Sequence, residues 1–379
     1  MAEQNKQRVP RYDLVTPMLP LRDQIMADFE QILLSGHYIL GDHCRHLEHE
    51  MAAQCGVADA VGVASGSEAL YLALAMAGVR PGTEVITTPY TFEATIEAVI
   101  MLHARPVFVD IKPDDLNIDP AAIEAAITPR TRAILPVHIF GAPADMDPIM
   151  AIARKHDLQV VVDMAQAWGT LYKGQPCGSI GRMSTLSFYP TKNLPGIGDG
   201  GLIFCREQED ADRIRQLRGH KALWINKNLY CGWNSRLDEV QAMVIRHRLA
   251  RFPDEQADRN RVAEIYDAAI PKKNRLAVED MPKGTRVTYH QYWVRCKARD
   301  RLQHRLDSEG IDTGVYYDPP LHHHPLMEYC REASELKVAE MAGREILTLP
   351  IHAALPFDTA ERIGALVGEF LLRQDDAAS

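Results

Sequence analysis

The chain has 379 residues, of which 46% are hydrophobic and 25% charged, as in ordinary soluble globular proteins. This length predicts a large domain with a smaller one beside it. The net charge of −9 argues against a general nucleic-acid-binding surface, because binding to a phosphate backbone needs clustered Lys and Arg. No apolar run reaches the ~20 residues of a membrane helix, so no membrane partner is expected.

The cysteines and the N-terminus indicate where the protein works. The seven cysteines are odd in number, scattered and without a CxxC pair, which favours reduced thiols over a disulfide framework or a zinc knuckle. The N-terminal MAEQNKQRVPRYD is polar and lacks the apolar stretch of a signal peptide. We therefore expect a cytoplasmic protein.

The first two thirds of the chain alternate between two kinds of pattern. Residues 22–54 show helical spacing with a break at 35–38, and from about residue 60 short β-branched runs alternate with helical patterns. The predicted strands are 59–64, 84–87, 106–109, 133–139, 159–163, 183–188 and 202–205, and the predicted helices are 67–77, 92–102, 120–126 and 148–156. Asp147 is the expected N-cap of the last helix, with Pro148 in its first turn. This alternation predicts an α/β fold with a mainly parallel sheet covered by helices.

The last third has a different organisation. Two helical patterns, 236–252 and 254–270, precede a turn-rich segment. A strand (288–295), a helix (300–310) and a second strand (314–317) are predicted after that segment. We interpret residues 1–250 as the large domain and residues 251–379 as a smaller α+β domain.

A candidate anion site opens the helix predicted at 67–77. Ala64-Ser65-Gly66-Ser67-Glu68 consists mostly of small residues, which allow close approach to the unpaired N–H groups at the helix N-terminus. Ser67 also fits a simple N-cap, and capping serines are the commoner case.

Asp163 stands where open α/β sheets bind their ligands. It follows three valines at the carboxyl end of a buried strand, and an unpaired charge there is costly. A protonated pyridine nitrogen would be a suitable partner. A helix-capping aspartate is an equally good interpretation of this residue alone.

Lys192 lies in a loop after an apolar strand, among aromatic residues and glycines. Desolvation there would lower the pKa of its ammonium and free the amine to attack an aldehyde. By base rate, a surface lysine is the commoner interpretation.

Two further motifs are weaker. Gly196–Gly201 formally matches GxGxxG, but it follows a loop and leads into a strand pattern, so a dinucleotide site is disfavoured. His322-His323-His324 suggests a metal site. Consecutive residues of a strand cannot all reach one ion, and no Cys or carboxylate cluster sits beside them, so no metal is expected.

The order of these features resembles the DegT/DnrJ/EryC1/StrS family of sugar aminotransferases. The resemblance rests on a Gly-Ser helix start, Asp163 followed by Gln166, and Ser187 five residues before Lys192 and its GDGG turn. It extends over nearly the whole chain, through residues 35–41, 65–67, 91–95, 136–138, 165–167, 234–242 and 320–322.

The resemblance implies a fold-type I transferase dependent on pyridoxal 5′-phosphate (PLP), working as a homodimer with shared active sites. Lys192 would hold PLP as a Schiff base. Asp163 would contact the pyridine nitrogen, and Gln166 the phenolic oxygen. The other cofactor contacts would be Phe92 on the ring face, Gly66, Ser67, Glu68 and Ser187 around the phosphate, and Asn234 from the neighbouring subunit.

The resemblance also implies glutamate as amino donor and a keto sugar as acceptor. The loop around Lys192 resembles members that aminate C3, often of a nucleotide-linked sugar. Amination at C4, or of a cyclitol or other carbocyclic ketone, stays open, as does a non-catalytic sensor that binds PLP or an aminosugar. Two positions depart from the family pattern: Trp168 replaces a usual His, and Pro195 a usual Gly. The candidate substrate contacts are Tyr38, Trp168, Tyr317 and His322.

Overall fold

The computed structural model describes residues 8–225 and 228–378. The helices are α1 (Arg22–Ser35), α2 (Asp42–Cys55), α3 (Gly66–Met76), α4 (Ala94–Met101), α5 (Pro120–Ala126), α6 (Met146–Lys155), α7 (Gln208–Leu217), α8 (Glu239–Ala269), α9 (Arg299–Ser308), α10 (Lys337–Glu345) and α11 (Phe357–Ala378). The strands are β1 (Asp59–Val63), β2 (Glu84–Thr87), β3 (Arg105–Phe108), β4 (Thr131–Ile134), β5 (Gln159–Asp163), β6 (Leu171–Tyr172), β7 (Gln175–Pro176), β8 (Met183–Ser187), β9 (Gly201–Cys205), β10 (Leu223–Ile225), β11 (Asn228–Tyr230), β12 (Tyr292–Arg295), β13 (Arg331–Glu332) and β14 (Ile346–Leu349).

An eight-stranded sheet organises the molecule, in the order β1-β9-β8-β5-β4-β2-β3-β13. Strand β9 pairs antiparallel with both β8 and β1, and the other pairs of this sheet are parallel. The central strands are buried along nearly their whole length, as strands covered on both faces must be. The predicted α/β fold with a mainly parallel sheet is confirmed. The carboxyl ends of β2, β4, β5 and β8 therefore meet at one edge.

The predicted helix caps are wrong by about two residues. Ser65, not Ser67, is the N-cap of α3, and its Oγ accepts a hydrogen bond from the Glu68 N–H at 3.1 Å. Because Ser65 caps the helix, the exposed Ser67 is not needed as the N-cap, and its hydroxyl is free to contact a ligand. Helix α6 starts after Asp145, so Asp147 lies in its first turn and not at the cap.

The prediction of two helices around Pro253 is also wrong, because α8 runs unbroken through it. Proline lacks one backbone donor and usually kinks or ends a helix. Packing of α8 against α1, α2 and α11 gives this long helix tertiary support that its local sequence does not encode.

Two strand predictions in the C-terminal third need correction. The ladder of β12 starts only at Tyr292, because the Thr288 N–H bonds instead to the Gly141 carbonyl. Residues 314–317 form no strand: Gly314 makes a single bridge to Thr348. The backbone beyond it turns toward the main sheet, where the Tyr316 carbonyl accepts a hydrogen bond from the Tyr90 hydroxyl.

The C-terminal third is closely joined to the sheet domain. Strand β13 extends the main sheet beside β3, and one apolar core contains Tyr90 and Phe108 together with Trp293 and Leu347. Helix α8 crosses residue 250 without a break. The division at residues 250/251 stays a prediction. Across the described ranges, we find no helix whose length and apolar character would suit a bilayer span.

Candidate active site

Asp163 ends β5 at the carboxyl edge of the sheet and is only 5% exposed. Its Oδ2 accepts a hydrogen bond from the Thr95 hydroxyl at 2.8 Å, and its Oδ1 one from the Ala165 N–H at 3.1 Å. Burial raises the pKa of this carboxyl, while those two hydrogen bonds and the nearby Lys192 oppose the rise. A cationic partner at Asp163 would favour the ionised form further.

Gln166 lies three residues beyond Asp163 and is fixed at both ends of its amide. Its Oε1 accepts a hydrogen bond from the Phe140 N–H at 2.7 Å, and its Nε2 donates to the Tyr317 hydroxyl at 3.0 Å. The Tyr317 ring stacks against Phe140. These contacts bring Tyr317, a predicted substrate residue, into the same group as Asp163 and Gln166.

Lys192 follows β8 in a tight turn, with its N–H bonded to the Tyr189 carbonyl at 2.8 Å. Part of the side chain stays accessible, but protein surrounds the amine, and this desolvation lowers the pKa of Lys192 to about 8. Asp163 acts against the shift by favouring the charged amine. At neutral pH a useful fraction of such an amine is unprotonated and nucleophilic.

Three of the predicted phosphate residues, Gly66, Ser67 and Ser187, lie where α3 begins, whereas the N–H of Glu68, predicted with them, is already bonded to Ser65 Oγ. A Cβ on Gly66 would stand 2.8 Å from the Ser187 Cβ, so the start of α3 lies directly against the end of β8. A side chain on Gly201 would collide with the Ser65 carbonyl. Only glycine permits this close approach, which places the N-terminus of α3 and the Ser187 hydroxyl at one corner.

The GDGG turn leads into β9, which confirms that no helix follows the GxGxxG match. Gln241 closes this loop by accepting a hydrogen bond from the Ile197 N–H at 2.9 Å. The geometry that a dinucleotide fingerprint requires is therefore missing here.

Three predicted site residues face outward from the single chain. Phe92 begins the turn before α4 and is 54% exposed, close in sequence to the buried Thr95. Asn234 is exposed, and its Oδ1 accepts a hydrogen bond from Arg236 at 2.8 Å. The Tyr38 side chain is half exposed, and its hydroxyl donates to the Leu33 carbonyl.

The other two predicted substrate residues lie apart from the group around Asp163. Trp168 is buried, stacked on Phe204 and in contact with Phe252, where it fills the core behind the sheet. His322 is buried beside His323 and Glu340. The structure shows no contact of either side chain with Asp163, Gln166 or Lys192 among the described residues.

Sequence reasoning gave no role to three buried polar residues that support the site. Thr95 belongs to residues 91–95, one of the segments that carry the family resemblance. Its spacing of four from Thr91 places the two hydroxyls 3.0 Å apart. Asn193 donates to the Thr288 carbonyl at 2.8 Å, and His290 Nδ1 lies 3.1 Å from Asn193 Oδ1. This contact ties the loop of Lys192 to a segment almost a hundred residues away, which no local pattern reveals.

The residues present fit PLP. The N-terminus of α3 beside Ser187, the desolvated amine of Lys192 and the buried carboxylate of Asp163 match its phosphate, aldehyde and pyridine nitrogen in chemical type. Asp163 accepts hydrogen bonds but has no cation within bonding distance in the described chain. Its carboxylate is therefore available to pair with a protonated ring nitrogen.

Known proteins are similar to this chain in sequence over nearly its full length. The chain is 40% identical over 373 residues to the dTDP-3-amino-3,4,6-trideoxy-alpha-D-glucose transaminase of Streptomyces venezuelae, covering 98% of each chain. It is 39% identical over 359 residues to the UDP-N-acetyl-3-dehydro-alpha-D-glucosamine 3-aminotransferase of Acidithiobacillus ferrooxidans, covering 95% of this chain and 97% of the relative.

Solved structures agree. DesV of S. venezuelae, determined in complex with a ketimine intermediate, superposes with a TM-score of 0.89 at 39% identity, covering 96% of this chain and 99% of DesV. The profile of the DegT/DnrJ/EryC1/StrS aminotransferase family matches residues 20–368. With its fold-type I architecture, the chain belongs to the DegT/DnrJ/EryC1/StrS aminotransferase family.

Proposed function

We propose that this chain is a PLP-dependent aminotransferase that moves the amino group of glutamate to C3 of a nucleotide-linked keto sugar. The observation that carries the proposal is the environment of Lys192. Its amine is desolvated at the carboxyl edge of the sheet and interacts electrostatically with the buried carboxylate of Asp163. Such an amine can both bind an aldehyde and exchange protons near neutral pH.

PLP, when bound, supplies an electron sink for the carbon that carries the transferred nitrogen. The chain supplies binding and proton transfer. Asp163 would hold the ring nitrogen in its charged form, Gln166 would orient the ring, and Ser67 and Ser187 would hold the phosphate. Lys192 Nζ would act as the base that accepts the transferred proton and as the acid that returns it.

The assignment to C3 of a nucleotide-linked sugar rests on the two curated relatives, whose names specify 3-amino or 3-dehydro sugars carried by dTDP or UDP. Their matches cover almost the full length of both chains, so the substrate-binding segments are included. The loop around Lys192 resembles C3-specific members in its sequence.

A second copy of the chain would complete the site. Several large apolar side chains, before α4, in the loop after β8 and on strands β10 and β11, are more than half exposed, and a patch of such side chains would suit a protein interface. They are Phe92, Tyr189, Ile197, Trp224 and Leu229. Asn234, exposed on the same chain, would then reach the phosphate of the neighbouring site.

A half-reaction tests the chemistry separately from the acceptor. Purified protein loaded with PLP should absorb visible light, and glutamate alone should bleach that band with release of one 2-oxoglutarate per site. The product enzyme, mixed with a 3-keto dTDP- or UDP-sugar, should recover the band and yield the 3-amino sugar. A 4-keto nucleotide sugar and an inosose serve as competing acceptors.

Each result decides one part of the proposal. Bleaching by glutamate without recovery by any nucleotide sugar, but with recovery by an inosose, would replace the sugar acceptor with a cyclitol. Recovery by the 4-keto sugar alone would move the reaction to C4. A protein that binds PLP or an aminosugar but shows no half-reaction would be a sensor, not an enzyme.

A further inference from the structure

A cluster of metal-binding side chains lies outside the site described above. It consists of His322 and His323, in a short 3-10 turn after Pro320, and Glu340 of α10. One ligand atom from each residue lies within 4.8 Å of the others. The prediction of no metal assumed that the histidines lie in a strand, but they lie in a 3-10 turn, and α10 brings Glu340 beside them.

The buried histidine of this cluster has unsatisfied nitrogens. His322 is 8% exposed, and neither Nδ1 nor Nε2 has a hydrogen-bond partner in the described chain. Buried imidazole nitrogens are usually paired, so both stand out. The nearest anionic atom, Glu340 Oε1, lies 3.8 Å from His322 Nε2, which is too far for a hydrogen bond.

That separation suits two ligands of one ion. Two atoms bound to the same Zn²⁺ at about 2.1 Å in tetrahedral geometry are roughly 3.4 Å apart. A small rotation of the half-exposed Glu340 would close the difference. The His322 and His323 rings lie 4.2 Å apart between centroids, so a second imidazole already stands at the same place.

The charges around the cluster favour a cation. Glu332 acts electrostatically on His322 in addition to Glu340. A positive charge also stands beside the cluster, because Arg344 Nη1 lies 3.6 Å from Glu340 Oε2. This pair occupies the other carboxylate oxygen and leaves Oε1 directed at His322.

We propose that His322, His323 and Glu340 form a binding site for a divalent first-row metal ion, for which Zn²⁺ is the best fit. Two imidazoles and one carboxylate are ligands that Zn²⁺ prefers, and water would fill the fourth position from the exposed side of His323. The ion joins the turn after Pro320 to helix α10.

The metal site is connected to the catalytic edge through one short segment. Leu321, next to His322, donates its N–H to the Pro89 carbonyl at 2.9 Å, three residues before Phe92. The same segment carries Tyr317, which bonds Gln166. A bound ion therefore stabilises the segment that delivers Tyr317 to the site, without touching the reacting atoms.

Zinc binding to the untagged, PLP-loaded protein tests the proposal. The protein is equilibrated by dialysis against buffered Zn²⁺, bound zinc is counted by plasma mass spectrometry, and affinity is measured by competition with a chromophoric chelator. We expect one zinc per chain and a rise of several degrees in Tm on zinc addition.

Three variants locate the ion. His323→Gln removes an exposed ligand and Glu340→Gln a half-exposed one, so both should fold. Each should weaken zinc binding by at least the roughly 10-fold that loss of a residue supporting a metal ligand costs. The matched control is His324→Asn, because His324 Nδ1 already accepts the Leu326 N–H and stands outside the cluster. That variant should keep wild-type affinity.

The contrary results are distinct. Failure of the wild-type protein to retain zinc, or equal affinity in wild type, His323→Gln and Glu340→Gln, overturns the proposal. Zinc that persists in both variants is held elsewhere, for example by the exposed thiol of Cys231, and counts against the site. These measurements do not depend on the enzyme's acceptor.

Discussion

A pair of carboxylates, the buried Glu48 and the half-buried Asp59, and the single buried carboxylate of Asp163 lie at different places in the sheet domain and have opposite kinds of partners. At the first, Glu48 Oε1 accepts from Arg218 Nη1 at 2.6 Å and from the Gly62 N–H at 2.8 Å, and Asp59 Oδ1 accepts from Arg215 at 2.9 Å. At the second, Asp163 has a hydroxyl and one backbone N–H, with no guanidinium within bonding distance in the described structure.

The pKa shifts follow this difference. Burial raises the pKa of Asp59, but hydrogen bonds from Arg215 and Gln208 outweigh it, so the net shift is downward. At Asp163 burial dominates and the net shift is upward. A carboxylate whose oxygens are paired with arginines contributes to the stability of the fold. A buried carboxylate without a cationic partner is available to bind a ligand.

The largest expected effect belongs to Lys192. Lys192→Ala removes the group proposed to transfer the proton, and the rate of the glutamate half-reaction should fall at least about 10³-fold. Lys173→Ala, which removes an exposed lysine paired with Asp147, is the control and should keep wild-type activity. Stopped-flow absorbance measures both. Activity above a tenth of wild type in Lys192→Ala would remove the basis of the mechanism.

Asp163→Asn should separate activity from stability. The neutral amide cannot keep a ring nitrogen charged, so we expect the half-reaction to slow by about 10²-fold or more. The free energy of unfolding of the apoprotein should change little, because Asp163 has no ionic partner within bonding distance in the described chain. Denaturant unfolding checks this. A large loss of stability would show that the carboxylate is structural.

Glu48→Gln should show the reverse pattern. It leaves the buried Arg218 without its carboxylate, and the free energy of unfolding should fall by about 3–5 kcal/mol. The half-reaction rate per folded molecule should stay near wild type. If Glu48→Gln and Asp163→Asn proved alike in both measurements, the contrast between the two groups would be lost.

Thr95→Val removes one of the hydrogen bonds that favour the ionised form of Asp163. The pKa of Asp163 should rise, and the acid limb of the pH–rate profile should move to higher pH by about one unit. Thr88→Val, at another buried threonine of this edge, is the comparison variant. An unchanged acid limb in Thr95→Val would mean that Asp163 does not govern that limb.

The smallest expected effect concerns the charge of Lys192 in the apoprotein. The rate of PLP uptake should rise with pH and level off above about 8, because the amine reacts only when unprotonated. Asp163 favours the charged amine, so Asp163→Asn should move this midpoint to lower pH. Rapid-mixing absorbance across pH measures the midpoint. A midpoint near the usual lysine value would mean that the amine is solvated.

Local patterns determined most of the sheet and the chemical identity of the site. The predicted strand at Gln159–Asp163 matches the structure, because a run of valines ending in a polar residue fits a buried strand and its edge. The site residues Asp163, Gln166 and Lys192 were recognised because their order along the chain is distinctive. Their mutual distances were not predicted from the sequence.

Errors occurred where long-range contacts outweigh local preference. Pro253 usually ends a helix, but packing against three other helices keeps α8 continuous. Trp168 follows Gln166 by two residues, but its side chain packs on Phe204 in the core and not beside Asp163. A sequence pattern gives no direction for a side chain in a turn.

The sequence by itself determined that an aspartate would end a buried strand and that a lysine would follow the next one, because hydrophobic periodicity and the succession of elements along the chain are local properties. Only the tertiary structure decided which partners they have. Thr95 reaches Asp163 across 68 residues, and Glu340 reaches His322 from a separate helix. Such pairings depend on how the elements pack, and packing is the sum of many weak contacts that no short stretch of sequence contains.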